Sequence, residues 1–327
     1  MSAAGHSLGL SSPRVLIPFA LVTIIWGSTW LVIKDQLGPV PAQWSIAYRF
    51  LIAAVAMGFY ALFTGASFKV GRNGHLLAIA FAIPQFTLNF NFVYAAEAHV
   101  TSGLVAVVFA LLLVPNSLFA WAFLGQKPSA RFAVGSLIAV AGVALLFIQE
   151  MRSNPGNADE VLIGIALTIG GILCASISNV LQGTAPLKAR PIPSMLAIGM
   201  AYASLANIAV AYSVSGPPVL EYRLGYFLGV AYLGLFGSAA AFAMYFAVIR
   251  AIGPGKAAYS SLLVPVLAMA LSTIFEGYHW SMLAVAGGVL ALVGLLVALR
   301  SARAVPSQAS KRESLAGPAP YPPIGTD

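Results

Sequence analysis

The stretch from Gly253 to Leu299 reads GPGKAAYSSLLVPVLAMALSTIFEGYHWSMLAVAGGVLALVGLLVAL. An apolar helix with a mid-span proline, Pro265, ends at Glu276. A short polar turn follows, then a second apolar helix with Gly287 and Gly294 seven residues apart. The same sentence stands earlier, from Gly103 to Ile148: GLVAVVFALLLVPNSLFAWAFLGQKPSARFAVGSLIAVAGVALLFI. Pro115 precedes Pro265 by 150 residues, and Gln126 precedes Glu276 by the same distance. Gly135 and Gly142 repeat the glycine spacing. A period near half the chain points to a duplicated domain, not to a solenoid of short repeats.

Composition says where such a domain can live. The chain has 327 residues, 60% of them hydrophobic and only 8% charged, where a soluble domain carries about 25% charged residues. So few charges cannot clothe a water-facing surface. A membrane span needs about 20 apolar residues, and ten such segments can be drawn: 15–34, 43–63, 76–96, 100–124, 131–148, 161–183, 193–214, 224–249, 256–276 and 280–299. The run after Arg14 has no small-residue cleavage site and reads as a retained first helix. The single cysteine, Cys174, permits no internal disulfide, and no Cys/His cluster points to a metal.

The expected organisation is a cytoplasmic N-terminal segment (1–14), a five-helix repeat (15–149), an outer linker (150–160), a second five-helix repeat (161–300) and a disordered cytoplasmic tail (301–327). Loop charges orient it. With the N-terminus inside, 13 Lys and Arg residues fall on cytoplasmic positions and 3, Lys34, Arg152 and Arg223, on the outer side. That bias predicts cytoplasmic termini and explains the net charge of +8 without nucleic acid. Five helices per half is an odd number, so the second half enters from the opposite face. The fold class expected is all-α integral membrane, with ten transmembrane helices as two inverted-topology five-helix repeats, an architecture common among transporters.

At this point the residues resemble a known family. WGSTWLVIK (Trp26–Lys34), YRFLIAA (Tyr48–Ala54) and the duplicated proline-helix unit are similar to the EamA-type branch of the drug/metabolite transporter superfamily, over roughly residues 15–300. The resemblance implies a ten-helix exporter of amino acids and other small metabolites, with a central cavity lined largely by helices 1, 3, 4, 6, 8 and 9. This chain has Gln126 where the family often has Glu at the end of the fourth helix, while Glu276 keeps the acid in the second half.

Arg49 is the sharpest single residue. An arginine inside a span costs at least ~2.5–3.5 kcal/mol, so it normally faces protein or water and has a partner. It either attracts a substrate carboxylate, or snorkels outward or ties its helix to backbone carbonyls. Gln85 and Asn89 share a face of the third helix, near Asn91 and near Pro84, which frees the Ala80 carbonyl. Ser178, Asn179 and Gln182 form a polar stripe on the sixth helix. These amides read as cavity groups or as interhelical bonds.

Pro115 and Pro265 can bend their spans and expose backbone for gating, with Asn116, Tyr259, Ser260 and Ser261 as polar neighbours. Trp26, Trp30, Tyr94, Phe109 and Tyr245 are the aromatic lining expected. The substrate-binding set is thus Trp26, Arg49, Gln85, Asn89, Tyr94, Asn116, Asn179, Gln182, Tyr245, Tyr259 and Ser260, and the kink set is Pro84, Pro115 and Pro265. The glycine pairs read as close helix approach, with a homodimer through one of those faces as the alternative. Glu97 and Glu276 read as solvated caps at outer helix ends.

The expected function is transport of a small molecule, an amino acid or similar metabolite, across an inner or plasma membrane by alternating access. No enzymatic activity, cofactor or nucleic-acid partner is expected. The alternatives are a membrane scaffold or enzyme without transport, and, within transport, a multidrug or nucleotide-sugar-type carrier. The last should present a pair of membrane Lys or Arg residues for phosphate. Direction, coupling ion and substrate identity stay open at this level.

Overall fold

The computed structural model describes residues 12–125, 127–153, 158–252 and 260–301. Gln126, Tyr259, the Ser260 and Ser261 side chains, most of the N-terminal segment and the tail beyond Ser301 lie outside the described residues. All described secondary structure is helical. In chain order the long helices are α1 (Pro13–Asp35), α2 (Ala42–Phe63), α3 (Gly71–His99), α4 (Ser102–Leu124), α5 (Ala130–Ser153), α6 (Ala158–Gln182), α7 (Ile192–Ser215), α8 (Leu224–Val248), α9 (Ser260–Phe275) and α10 (Met282–Ser301). Eight are long and apolar enough to cross a membrane, and two further apolar helices, Leu263–Phe275 and Met282–Ala298, are shorter. The protein is a multi-pass membrane protein. Large apolar side chains such as Phe63, Phe123, Leu137 and Ile274 point outward, which lipid tolerates and water would not.

Connections are short, and local chemistry ends each helix. Gly125 closes α4 at φ +68°, a left-handed cap that glycine adopts without a Cβ clash. The α3–α4 corner is two extended residues, Val100 and Thr101. On the α7–α8 side, Arg223 binds both Asp35 and Glu221, and these bonds, Asp35 first, hold its guanidinium pKa above the usual arginine value. Helices α5 and α6 run to Ser153 and from Ala158, so they take up most of the segment between the halves.

Helix pairing is selective. The most extensive contacts join α5 to α10 and α2 to α7; α3 packs on α6, α9 on α1 and α4, and the middle of α8 on α1 and α2. The α5–α10 seam is built by the two glycine pairs. A Cβ on Gly142 would stand 2.2 Å from the Ala291 nitrogen, and one on Gly135 2.3 Å from the Ala298 nitrogen. Gly294 meets the Ala139 nitrogen at 2.2 Å. Backbone thus packs on backbone, as small residues permit in lipid, where no hydrophobic force pulls helices together. This corrects the dimer alternative for these faces: they are covered within the chain.

Two helices contain wide turns that the sequence reading did not foresee. Ile83–Leu88 in α3 and Leu233–Ala240 in α8 are π-helical, with i→i+5 bonds. In α3 the turn contains the proline that removes a donor: Pro84 is its second residue, and its carbonyl accepts from the Asn89 N–H. In α4 the same problem is met by a 3-10 turn, Ala110–Leu112, just before Pro115. Pro265 sits inside α9.

Side-chain amides satisfy backbone groups around the α3 turn. Asn207 of α7 donates to the Phe86 carbonyl at 3.0 Å and accepts from Asn91 at 3.0 Å, while Asn91 also donates to the Thr87 carbonyl at 2.8 Å. Asn91 therefore serves interhelical bonding. Asn207→Ala should destabilise the protein by about 1–2 kcal/mol, since it unpairs several buried groups together. Thermal unfolding in detergent measures this, and an unchanged midpoint would refute it.

Candidate functional site

Between the helices lies a cavity of about 850 Å³, the open solvent at its mouth included. Its walls come from α1 (Trp26, Thr29, Trp30, Ile33), α3 (Gln85, Asn89, Phe90, Val93), α4 (Ala106, Phe109, Ala110, Leu112), α6 (Ala175, Asn179), α8 (Phe242, Tyr245) and α9 (Val264, Pro265), with Arg49 reaching in from α2. The chamber is mostly apolar, with a few polar groups.

Arg49 is the charge of this chamber. It is 1% exposed. Its Nε donates to Ser238 Oγ at 2.9 Å, and its Cζ lies 4.3 Å from the Phe90 ring centroid, a cation–π contact that fixes the plane of the guanidinium. Its Nη1 has no hydrogen-bond partner, and no carboxylate pairs with it among the described residues. The snorkelling alternative is thereby corrected, because the side chain turns inward. The wide turn of α8 makes the docking space. Ser238 lies within that turn, and a Cβ on neighbouring Gly237 would stand 3.4 Å from Arg49 Nη2. The Gly237 carbonyl accepts from Trp26 Nε1 at 3.2 Å, so one turn of α8 positions both the arginine and an aromatic wall.

Two further polar atoms near the chamber lack partners: Trp30 Nε1, a donor, and Asn89 Oδ1, an acceptor. Asn89 Nδ2 donates to the Gln85 carbonyl at 3.3 Å, and its Oδ1 lies against Gly171 of α6. Aromatic rings hold one another in place: Trp26 lies 5.3 Å from Phe242 and 4.9 Å from Tyr245, and Trp30 lies 5.5 Å from Phe109.

The structure therefore brings Trp26, Arg49, Gln85, Asn89, Asn179, Tyr245 and Pro265 to one cavity, together with Trp30 and Phe109. Others fall elsewhere. Tyr94 is fully buried behind the wall, its hydroxyl donating to Gln36 Oε1 at 3.1 Å. Asn116 lies behind Asn179, with the two amides 3.5 Å apart. Gln182 is outside the lining, as are Pro84 and Pro115, and Tyr259 and the Ser260 side chain fall outside the described residues. Ser238 and Phe90, which hold Arg49, were missed. Phe90 is one of 19 phenylalanines and carries no distinguishing pattern. The wide turn containing Ser238 begins 150 residues after that of α3, so the repeat could have flagged it.

Ser238→Ala frees Arg49 Nε while leaving the charge in place. The expected result is a several-fold rise in the KM for a carboxylate substrate with a smaller change in maximal rate, as for loss of one hydrogen bond to a charged group. A KM equal to wild type in reconstituted vesicles would refute the positioning role.

At the end of the bundle where α1, α3 and α9 finish and α4 begins, side chains tie the helices together. Lys34 Nζ donates to the backbone carbonyls of Glu97 and Val100. Glu276 accepts from the Ser102 hydroxyl at 2.6 Å and from its backbone N–H at 3.3 Å, a cap supplied to α4 by another helix. The sequence reading had Glu97 as a solvated cap. That is corrected: Glu97 is 0% exposed, and neither carboxylate oxygen has a hydrogen-bond partner.

Spanning helices around a cation-bearing chamber define a multi-pass membrane protein with an internal cavity. The EamA-like transporter family matches residues 14–148 and again 162–300, and the chain belongs to that family: it is a membrane transporter. It is 30% identical over 297 residues to the uncharacterized inner membrane transporter YedA of Escherichia coli K12, covering 88% of this chain and 92% of that one. It is 23% identical to protein PagO of Salmonella typhimurium, over 81% and 86% of the two chains. It is also 23% identical to a probable terminal-alkyne amino-acid exporter of Streptantibioticus cattleyicolor, over 85% and 90%. A crystal structure with 22% sequence identity superposes with a TM-score of 0.64, over 89% of this chain and 98% of the other, and so shares the fold.

Proposed function

We propose that this transporter exports amino acids or closely related small metabolites across the inner membrane. In this reading ten helices cross the bilayer as two inverted five-helix repeats, 15–149 and 161–300, that rock about the cavity, with both termini cytoplasmic. The carrying observation is Arg49: a buried guanidinium on the chamber wall whose Nη1 has no hydrogen-bond partner, a charge that a single substrate carboxylate would balance. The described lining holds no acid, so a substrate ammonium would meet the rings of Trp26 and Trp30, whose faces attract cations.

The repeat reading is supported by the packing. Exchanging each helix for the one five places on sends the α2–α7, α4–α9 and α5–α10 pairs onto themselves, and the α3–α6 pair onto α8–α1. The wide turns at Ile83 and Leu233 obey the same 150-residue shift as the prolines. The two stretches matched by the family and the amino-acid exporter among the relatives support it further. Phosphate-bearing solutes are disfavoured, because Arg49 is the sole cation in the described lining.

The test is uptake by purified protein in liposomes, with a labelled panel of amino acids, sugars and cationic drugs, with and without an imposed pH gradient. Saturable uptake of one amino-acid class is the expected result. Saturable uptake of a solute without a carboxylate, with no amino acid taken up, would overturn the reading.

A further inference from the structure

We propose that Glu97 is a proton-binding site, and that the end of the bundle tied by Lys34 and Glu276 closes only when the Glu97 carboxyl takes up a proton. This rests on the transporter reading, in which that end faces outward.

The observation is a buried carboxylate without a hydrogen bond. Glu97 is fully buried and both its oxygens lack partners. Each titratable or charged group facing this end of α3 has a partner other than the Glu97 carboxylate, although the Lys34 ammonium and the Glu276 carboxylate, of opposite sign, lie near it. Lys34 of α1 donates to backbone carbonyls, and Asp35 pairs with Arg223. Arg49 of α2 holds Ser238. Glu160 of α6 binds His99 of α3 itself, and Tyr94 donates to Gln36. Glu276 of α9 caps α4.

An ionised carboxylate held in such a place, without donors, costs several kcal/mol even after relaxation, whereas the neutral acid carries a far smaller desolvation cost. The tied arrangement therefore holds the neutral acid. When the ties part and water enters, the acid ionises and the penalty vanishes. Closing takes up one proton, and low pH on that side favours closure. Val93, one turn below Glu97, lines the chamber, so the proton has a short way into the cavity once the opposite side opens. Proton binding on one side and release to the other is what couples a carrier to a pH gradient.

The test needs no substrate. In a Cys174→Ala background, Val93→Cys places a thiol that is 2% exposed beneath the ties. Its labelling by a membrane-impermeant maleimide in proteoliposomes reports opening. The expected result is that labelling, divided by that of the same protein carrying Glu97→Gln, falls as pH is lowered, by up to about tenfold per unit, the limit for one linked proton. The ratio cancels the thiol's own titration. Glu97→Asp must keep a pH response.

A ratio independent of pH overturns the proposal. So does a wild-type labelling profile that follows the thiol titration alone, which is decisive even where Glu97→Gln fails to fold. Substrate counterflow at equal pH on both sides is measured in parallel on the wild type. Its absence for every solute would sink the transport reading while the labelling result still decides the proton site. With counterflow present, gradient-driven accumulation should be lost in Glu97→Gln.

Discussion

Replacing Arg49 by alanine should lower the affinity for a carboxylate-bearing substrate by roughly 10- to 150-fold while leaving the protein folded. A hydrogen bond to a charged group is worth about 1.5–3 kcal/mol, and a guanidinium in an apolar chamber has no water to take over its role. The loss should depend on the substrate. An amide or ester analogue, which lacks the negative charge, should bind the variant and the wild type within a few-fold of each other. Arg49→Lys should recover little. An ammonium cannot bond Ser238 through one nitrogen, lie flat on Phe90 and leave a further nitrogen free for the ligand. Concentration-dependent uptake in proteoliposomes checks both variants against the wild type. Normal folding of Arg49→Ala with unchanged affinity would remove the arginine from the substrate site and with it the main support for a carboxylate solute.

The second large effect is on stability, at the α5–α10 seam. Gly142→Ala places a Cβ 2.2 Å from the Ala291 nitrogen. The obstructing atom is backbone inside a helix, so no side-chain rotation relieves the clash and the helices must separate along the whole seam. Overpacking typically costs about 1–3 kcal/mol, and here it should sit at the top of that range, because the Gly135 and Gly294 contacts are lost together. Gly288→Ala on the same α10 is the internal control: a Cβ there meets nothing within 4 Å, and its helix propensity should if anything stabilise. Thermal unfolding in detergent should therefore separate two Gly→Ala changes that sequence spacing alone could not rank. Equal midpoints would show that the seam is not tightly packed.

These contrasts mark how far the sequence could be read. Lipid makes strong demands on composition: a span must be long, apolar and helical because unpaired backbone is not tolerated there. The helical class, the places of most helices and the duplicated proline-helix unit were legible for that reason. The third helix was drawn from residue 76, yet it begins at Gly71, because polar residues in its first turn carry no hydropathy signal. The residues that resemble the family were legible as well.

What the sequence alone determined is thus the solvent this protein lives in, its helical build and the presence of an arginine that had to find company. It could not say which company. Periodicity puts Arg49 on a helix, but its serine is 189 residues away on α8 and its aromatic platform is on α3. Only packing decided that Gln85, Asn89 and Asn179 face a chamber while Asn91 staples α3 to α7. Glu97 is the sharpest case. At a helix end next to a polar corner it reads as a solvated cap, since burial is a property of neighbours that sequence spacing does not carry. Tertiary structure buried it because Lys34 and Glu276 close over that end from two other helices, each satisfying backbone groups and leaving the carboxyl between them without a partner.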